Sequence, residues 1–138
     1  MRLKASDSWF SKCVRERANW TCEHCGTAYQ QNSQGLHCSH YFGRRAKGTR
    51  WDPDNAFAHC MSCHMLLGSN PHDFQRWAEE RLGPGVVEIL NEKRNDTNLA
   101  KSLHKAEKEI AKHYKLEYET MLSRRAAGES GRLEFTGF

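Results

Sequence analysis

Two Cys-x2-Cys pairs, Cys22 with Cys25 and Cys60 with Cys63, constrain this chain more than any other feature. Each pair puts two sulfurs within reach of one tetrahedral ion, and Gly26 relieves the turn after the first pair. Four thiolates close the coordination shell of zinc, which marks a structural site and not a catalytic one. The 34 residues 26–59 between the pairs exceed the interval of a simple zinc finger, so a loop or hairpin must fill them. The staple suits the chain. Its 138 residues are the size of one domain and only 38% of them are apolar, so the core is small. Cys13 and Cys38 lack such spacing and read as small buried apolar residues.

No apolar run approaches the roughly 18 residues of a membrane span. The opening MRLKASDSWF has no apolar signal segment, so a cytoplasmic location and reduced thiols are expected. The same six Cys in a secreted chain would suggest three disulfides. The net charge of +4 is compatible with a polyanionic partner without requiring one.

Helix signals place a helix over 7–18, another over 69–83 with Pro71 at its start and Gly83 at its stop, and a third piece over 86–94. Leu99, Leu103, Ala106, Ile110, Tyr114, Tyr118 and Met121 recur at helical steps and predict one long helix over 97–125. Residues 36–42 are rich in strand formers, 55–59 can return as a second strand, and a short helix fits 62–67. The expected class is therefore α+β. Residues 1–83 form a zinc-stabilised domain, 84–127 a helical extension packed on it or used to form a homodimer, and 128–138 a flexible tail.

Between the two knuckles stand His40 on the first strand, Asn55 on the second, and His64 on the following helix. The pieces SHYFGRR, DPDNAFAHC and CMSCH resemble the HNH, or ββα-metal, nuclease motif in the variant embedded between zinc knuckles. FSKCVRER, LHCSHYFGRR, RWDPDN, LLGSNPHDFQRW and HYKLEYETML extend the likeness over most of residues 7–122 to phage recombination nucleases of the NinG/Rap and Ref type. The resemblance implies a ββα-metal core with a four-cysteine zinc site, flanked by an N-terminal helix and C-terminal helices. It also implies a phage-encoded, metal-dependent DNA endonuclease active on branched or recombinase-bound DNA, with a recombinase as possible partner.

By that resemblance His40 is the general base, His64 binds a catalytic Mg²⁺ or Mn²⁺, and Asn55 holds the loop or orients His40. Asn55 could instead be a ligand, since amide oxygens suit hard cations. A neutral imidazole can take a water's proton near pH 7, and a divalent ion can neutralise the phosphate. One position departs from the pattern: Ser39 stands where many relatives carry an Asp ligand before the first His. His37, on the same strand face as Ser39, is the best replacement, ahead of His59 and Asp54. A nitrogen-rich site would accept Mn²⁺, Zn²⁺ or Ni²⁺. Arg44, Arg45, Lys47 and Arg50 are expected to meet DNA phosphates, with Lys12, Arg15 and Arg17 extending that surface. His24, His72, His104 and His113 read as ordinary histidines. Two alternatives stand beside the nuclease reading: a non-catalytic zinc module that binds nucleic acid, and a restriction-type or nonspecific nicking nuclease acting on ordinary duplex.

Overall fold

The computed structural model describes residues 2–138. It is α+β: six α-helices surround one two-stranded antiparallel sheet. Helix α1 (Ala5–Arg17) begins where the Lys4 amide donates to the Asp7 carboxylate at 2.9 Å, and buries Phe10, Cys13 and Val14. Strand β1 (Leu36–His40) pairs with β2 (Ala56–Cys60) in the register Leu36 to Cys60 through His40 to Ala56. A 3₁₀ turn, Pro53–Asn55, feeds β2. Helix α2 (Met61–Gly68) follows β2 without a linker, so Cys60 ends the strand and Cys63 lies in the first turn of the helix. Helix α3 (Pro71–Leu82) starts on Pro71 as expected, and α4 (Pro84–Asn95) starts on Pro84, two residues before the expected 86.

The C-terminal helical run departs from expectation. A break at Ala106 divides it into α5 (Thr97–Lys105) and α6 (Glu107–Ala126). No Gly or Pro stands there to announce it. Glu107 accepts from Lys4 Nζ at 2.7 Å, which ties the start of α6 to the N-terminal end of α1. Helix α6 then lies along α1, and Ile110, Tyr114, Tyr118 and Met121 join Phe10, Cys13, Val14 and Trp51 in the main core. Lys12 and Arg15 accordingly lie over aromatic rings, Lys12 over Trp9 and Tyr118 and Arg15 over Trp20. Residues 128–138, expected as a flexible tail, hold no helix or strand but are docked. Leu133 is buried, its amide donates to the Arg17 carbonyl, and the Phe138 amide donates to the Tyr114 hydroxyl.

The loop 41–52 is anchored on two helices, α1 and α4. Arg50 is 2% exposed and donates to both carboxylate oxygens of Asp7, at 2.8 and 2.7 Å. Gly48 meets the end of α4 so closely that an added Cβ would lie 2.1 Å from the Lys93 carbonyl oxygen. Lys93 in turn bonds Asp52 at 2.7 Å. No helix among the described residues is long and apolar enough to cross a membrane.

Burial alone would raise the Asp7 carboxyl, but the Arg50 guanidinium and the Lys4 amide hold it below its ordinary value. The contribution of the pair to stability is therefore full above the unfolded carboxyl's pKa of about 4 and is lost as pH falls through the lower folded value. Replacing Arg50 by Ala leaves a buried carboxylate uncompensated. It is expected to cost about 3–5 kcal/mol in urea unfolding at pH 7, with a smaller difference between the two chains at acid pH.

Candidate functional site

The four knuckle cysteines converge. Sγ atoms of Cys22, Cys25, Cys60 and Cys63 all lie within 4.8 Å of one another, and Cys25 and Cys60 are 3.8 Å apart. A regular tetrahedron built on Zn–S bonds of about 2.3 Å has an edge of about 3.8 Å, so the cluster fits zinc. Among the described residues no other group of three or more Cys, His, Asp or Glu side chains converges in this way. The first knuckle turns at Gly26, whose φ of 80° is the left-handed region that glycine enters freely. Its backbone is locked to β2 by a reciprocal pair: Glu23 donates its amide to the Ala58 carbonyl, and its carboxylate accepts from the Ala58 amide at 2.7 Å. The Thr27 hydroxyl and backbone lower the Cys25 thiol to about 6, whereas burial pushes Cys63 up. His24 Nδ1 stands 3.2 Å from Cys63 Sγ, a contact that pure spacing rules overlook because His24 lies between the first two ligands.

His64 follows Cys63 on α2 and faces away from the sulfurs. Its Nδ1 is 3.1 Å from His37 Nδ1, with the rings near perpendicular. Two nitrogens bound to one ion at about 2.0–2.1 Å in tetrahedral geometry would sit about 3.3 Å apart, so this pair can share a cation. Burial and the neighbouring His37 lower the His64 pKa. His64 is therefore held toward its neutral form, the form that ligates a metal.

His40 and His64 line one cavity of about 370 Å³ together with Asp7, Ser11, Cys38 and Arg44. His40 Nε2 lies 3.0 Å from the Arg50 carbonyl oxygen. A carbonyl only accepts, so Nε2 carries the proton and Nδ1 keeps its lone pair. Burial lowers the His40 pKa to about 4, so the ring is neutral at pH 7. Arg44 brings a guanidinium to the same cavity, and its Nη1 is buried without a partner.

Asn55 is fully buried and serves as a clamp. Its Oδ1 accepts from the Phe42 amide at 2.9 Å, and its Nδ2 donates to the Phe42 and Thr49 carbonyls at 2.9 and 3.0 Å. Its amide oxygen and both amide hydrogens are thus engaged by the loop. Asp54 opens instead into a different cavity with Arg17 and Arg132. His59 is fully buried in a box of Phe57, Phe74 and Trp77, with neither ring nitrogen partnered, and burial lowers its pKa to about 3. Ser39 is also buried, and its hydroxyl has no partner.

The basic surface is smaller than the sequence suggests. Arg50 is committed to Asp7 and cannot reach a phosphate, a correction that burial alone dictates. Lys47 is paired with Glu107 at 3.8 Å. Arg17 is 3% exposed and donates to the Pro53 and Ala56 carbonyls, so it braces β2 and extends no binding surface. Arg44 and Arg45 remain beside the cavity, and Arg94 of α4 joins them. Arg94 is missed from sequence because it lies far along the chain and is brought close only by the contact at Gly48. No family model, no curated protein and no solved structure matches this chain.

The sulfur cluster ties the first knuckle to the junction of β2 and α2, so its cation should dominate stability. One zinc per chain is expected by elemental analysis. Cys60→Ser should abolish that stoichiometry and the cooperative thermal transition, whereas Cys38→Ser should keep both.

Proposed function

We propose that the chain is a metal-dependent DNA endonuclease of the HNH type. The observation that carries this reading is the convergence of His40, His64 and Arg44 on one cavity, with His37 against His64. These residue types in this arrangement supply what phosphodiester hydrolysis needs. His40, with its proton fixed on Nε2, offers Nδ1 to take the proton of an attacking water. A phosphate in the cavity would place negative charge beside the ring and raise its basicity from the low value burial imposes. Arg44 can bind a non-bridging phosphate oxygen. A divalent cation on His37 and His64 would supply charge neutralisation at the phosphate and the leaving oxygen. The two nitrogen donors favour an ion such as Mn²⁺, Ni²⁺ or Zn²⁺ over Mg²⁺. The clamp on the loop by Asn55 keeps the Arg50 carbonyl, and hence His40, in place. Phage recombination, branched substrates and a recombinase partner rest on the sequence resemblance alone.

One observation favours the second reading, a zinc-stabilised module that binds DNA without cutting it. Ser39 occupies the place of the usual ligand carboxylate, and its hydroxyl is buried with no partner. The two readings part in one assay. Plasmid and four-way-junction DNA are incubated with the zinc-loaded chain and Mn²⁺, Ni²⁺ or Mg²⁺. The endonuclease reading expects ion-dependent cutting that His40→Ala lowers about 10²- to 10⁴-fold while the fold and DNA binding persist. Binding without cutting under every ion would establish the module instead. In the free chain burial lowers His40 to about 4, so protonation of this ring should not reduce kcat/KM, which reports the free chain, between pH 8 and pH 6.

A further inference from the structure

A second groove adjoins the cavity of His40 and His64. It has a volume of about 480 Å³ and is lined by Tyr41, Phe42, Arg44, Arg45 and Arg94 beside Gly43 and Ala46. Gly43 and Arg44 line both, so the two spaces are neighbours on either side of these residues. No acidic side chain lines the groove. Among the described residues none of its three arginines is held in an ion pair, whereas Arg50 and Lys47 of the same loop are. The charge here is therefore uncompensated and open to an anion.

The groove also has aromatic walls. The Tyr41 and Phe42 rings lie 4.7 Å apart at 47°, and the Arg94 guanidinium sits 4.8 Å from the centre of the Phe42 ring. This geometry is built and not incidental. Asn55 fixes the Phe42 backbone from one side, and the contact of Gly48 with the Lys93 carbonyl sets the end of α4, and Arg94 with it, beside the ring. A duplex offers phosphates to such a surface but keeps its base faces stacked inside. An unpaired strand offers both phosphates and exposed base faces, and a basic groove with aromatic platforms is the combination that holds it.

We infer that the groove of Tyr41, Phe42, Arg44, Arg45 and Arg94 binds a single-stranded DNA segment and leads it into the cavity of His40 and His64. The inference rests on the endonuclease reading only for what happens in that cavity. The bound segment flanks the scissile phosphate, so the substrate class is DNA with an unpaired stretch next to the cut.

The test measures binding, so a failure of cutting does not affect it. Fluorescence anisotropy is read on the full zinc-loaded chain with no other divalent ion. The probes are a labelled mixed-sequence 20-nucleotide single-stranded DNA, the same sequence as duplex DNA, and the same sequence as single-stranded RNA. Single-stranded DNA should bind most tightly. Phe42→Leu, which keeps the bulk and removes the ring, should weaken it about five- to tenfold with little change in salt dependence. Arg94→Ala, at an exposed helical position, should reduce the slope of log Kd against log salt by about 0.7. Both variants should melt as the parent does. Tighter binding of duplex or of RNA would overturn the inference. So would an unchanged affinity in Phe42→Leu or an unchanged salt slope in Arg94→Ala.

Discussion

The direction of one short helix depends on four sulfur atoms. Cys60 closes β2 and Cys63 opens α2, so any ion shared with Cys22 and Cys25 fixes the angle at which helix leaves strand. His64 is the next residue, and that angle decides whether its ring meets His37 or solvent. The sulfur cluster and the histidine pair are separate in composition and inseparable in geometry. A helix of eight residues cannot hold such an orientation by its own hydrogen bonds, because short helices are marginal in water.

The second constraint is polar and buried. Asn55, Arg50 with Asp7, and Arg17 all sit inside the protein and spend their donors on backbone carbonyls or a carboxylate. Each would be costly alone, and each has partners of the right type, Arg17 Nε alone being buried without one. Together they convert residues 41–52, which lack strand or helix hydrogen bonds, into a rigid support. The Arg50 carbonyl that sets the His40 tautomer belongs to the same residue whose side chain is locked on Asp7. The orientation of His40 and the stability of the loop therefore depend on one residue.

What could be read from the sequence was local. Pro71 and Gly83 bracket α3 to within two residues, and the spacing of the cysteines announces their meeting. The order of His40 and His64 carries the outline of strand and helix, whereas Asn55, expected on the second strand, ends the 3₁₀ turn just before it; the strand position of His37 singles it out as the partner of His64. What could not be read depends on partners distant in sequence. Arg50 looks like Arg44 and Arg45 until Asp7 on α1 claims it. The long helical pattern after Thr97 gives no sign of the break at Ala106, because Lys4, from the other end of the chain, helps to place it. The docked tail was invisible for a similar reason: Leu133 and Phe135 are sparse in a polar stretch, and only the surface of α1 and α6 gives them somewhere to go.

The pairing of α1 with α6 has a consequence in time. Cys13 donates to the Tyr114 carbonyl across 101 positions of chain. At ribosomal rates of about 5–20 residues per second, some 5–20 seconds separate the appearance of the two helices. Throughout that interval Phe10, Cys13 and Val14 present an apolar stripe with nothing to cover it. The knuckles and the hairpin, which lie between, can close earlier because their contacts span shorter loops. Assembly in the cell would then run from the metal outward, and the newborn chain would be most exposed to aggregation just before its last helix arrives.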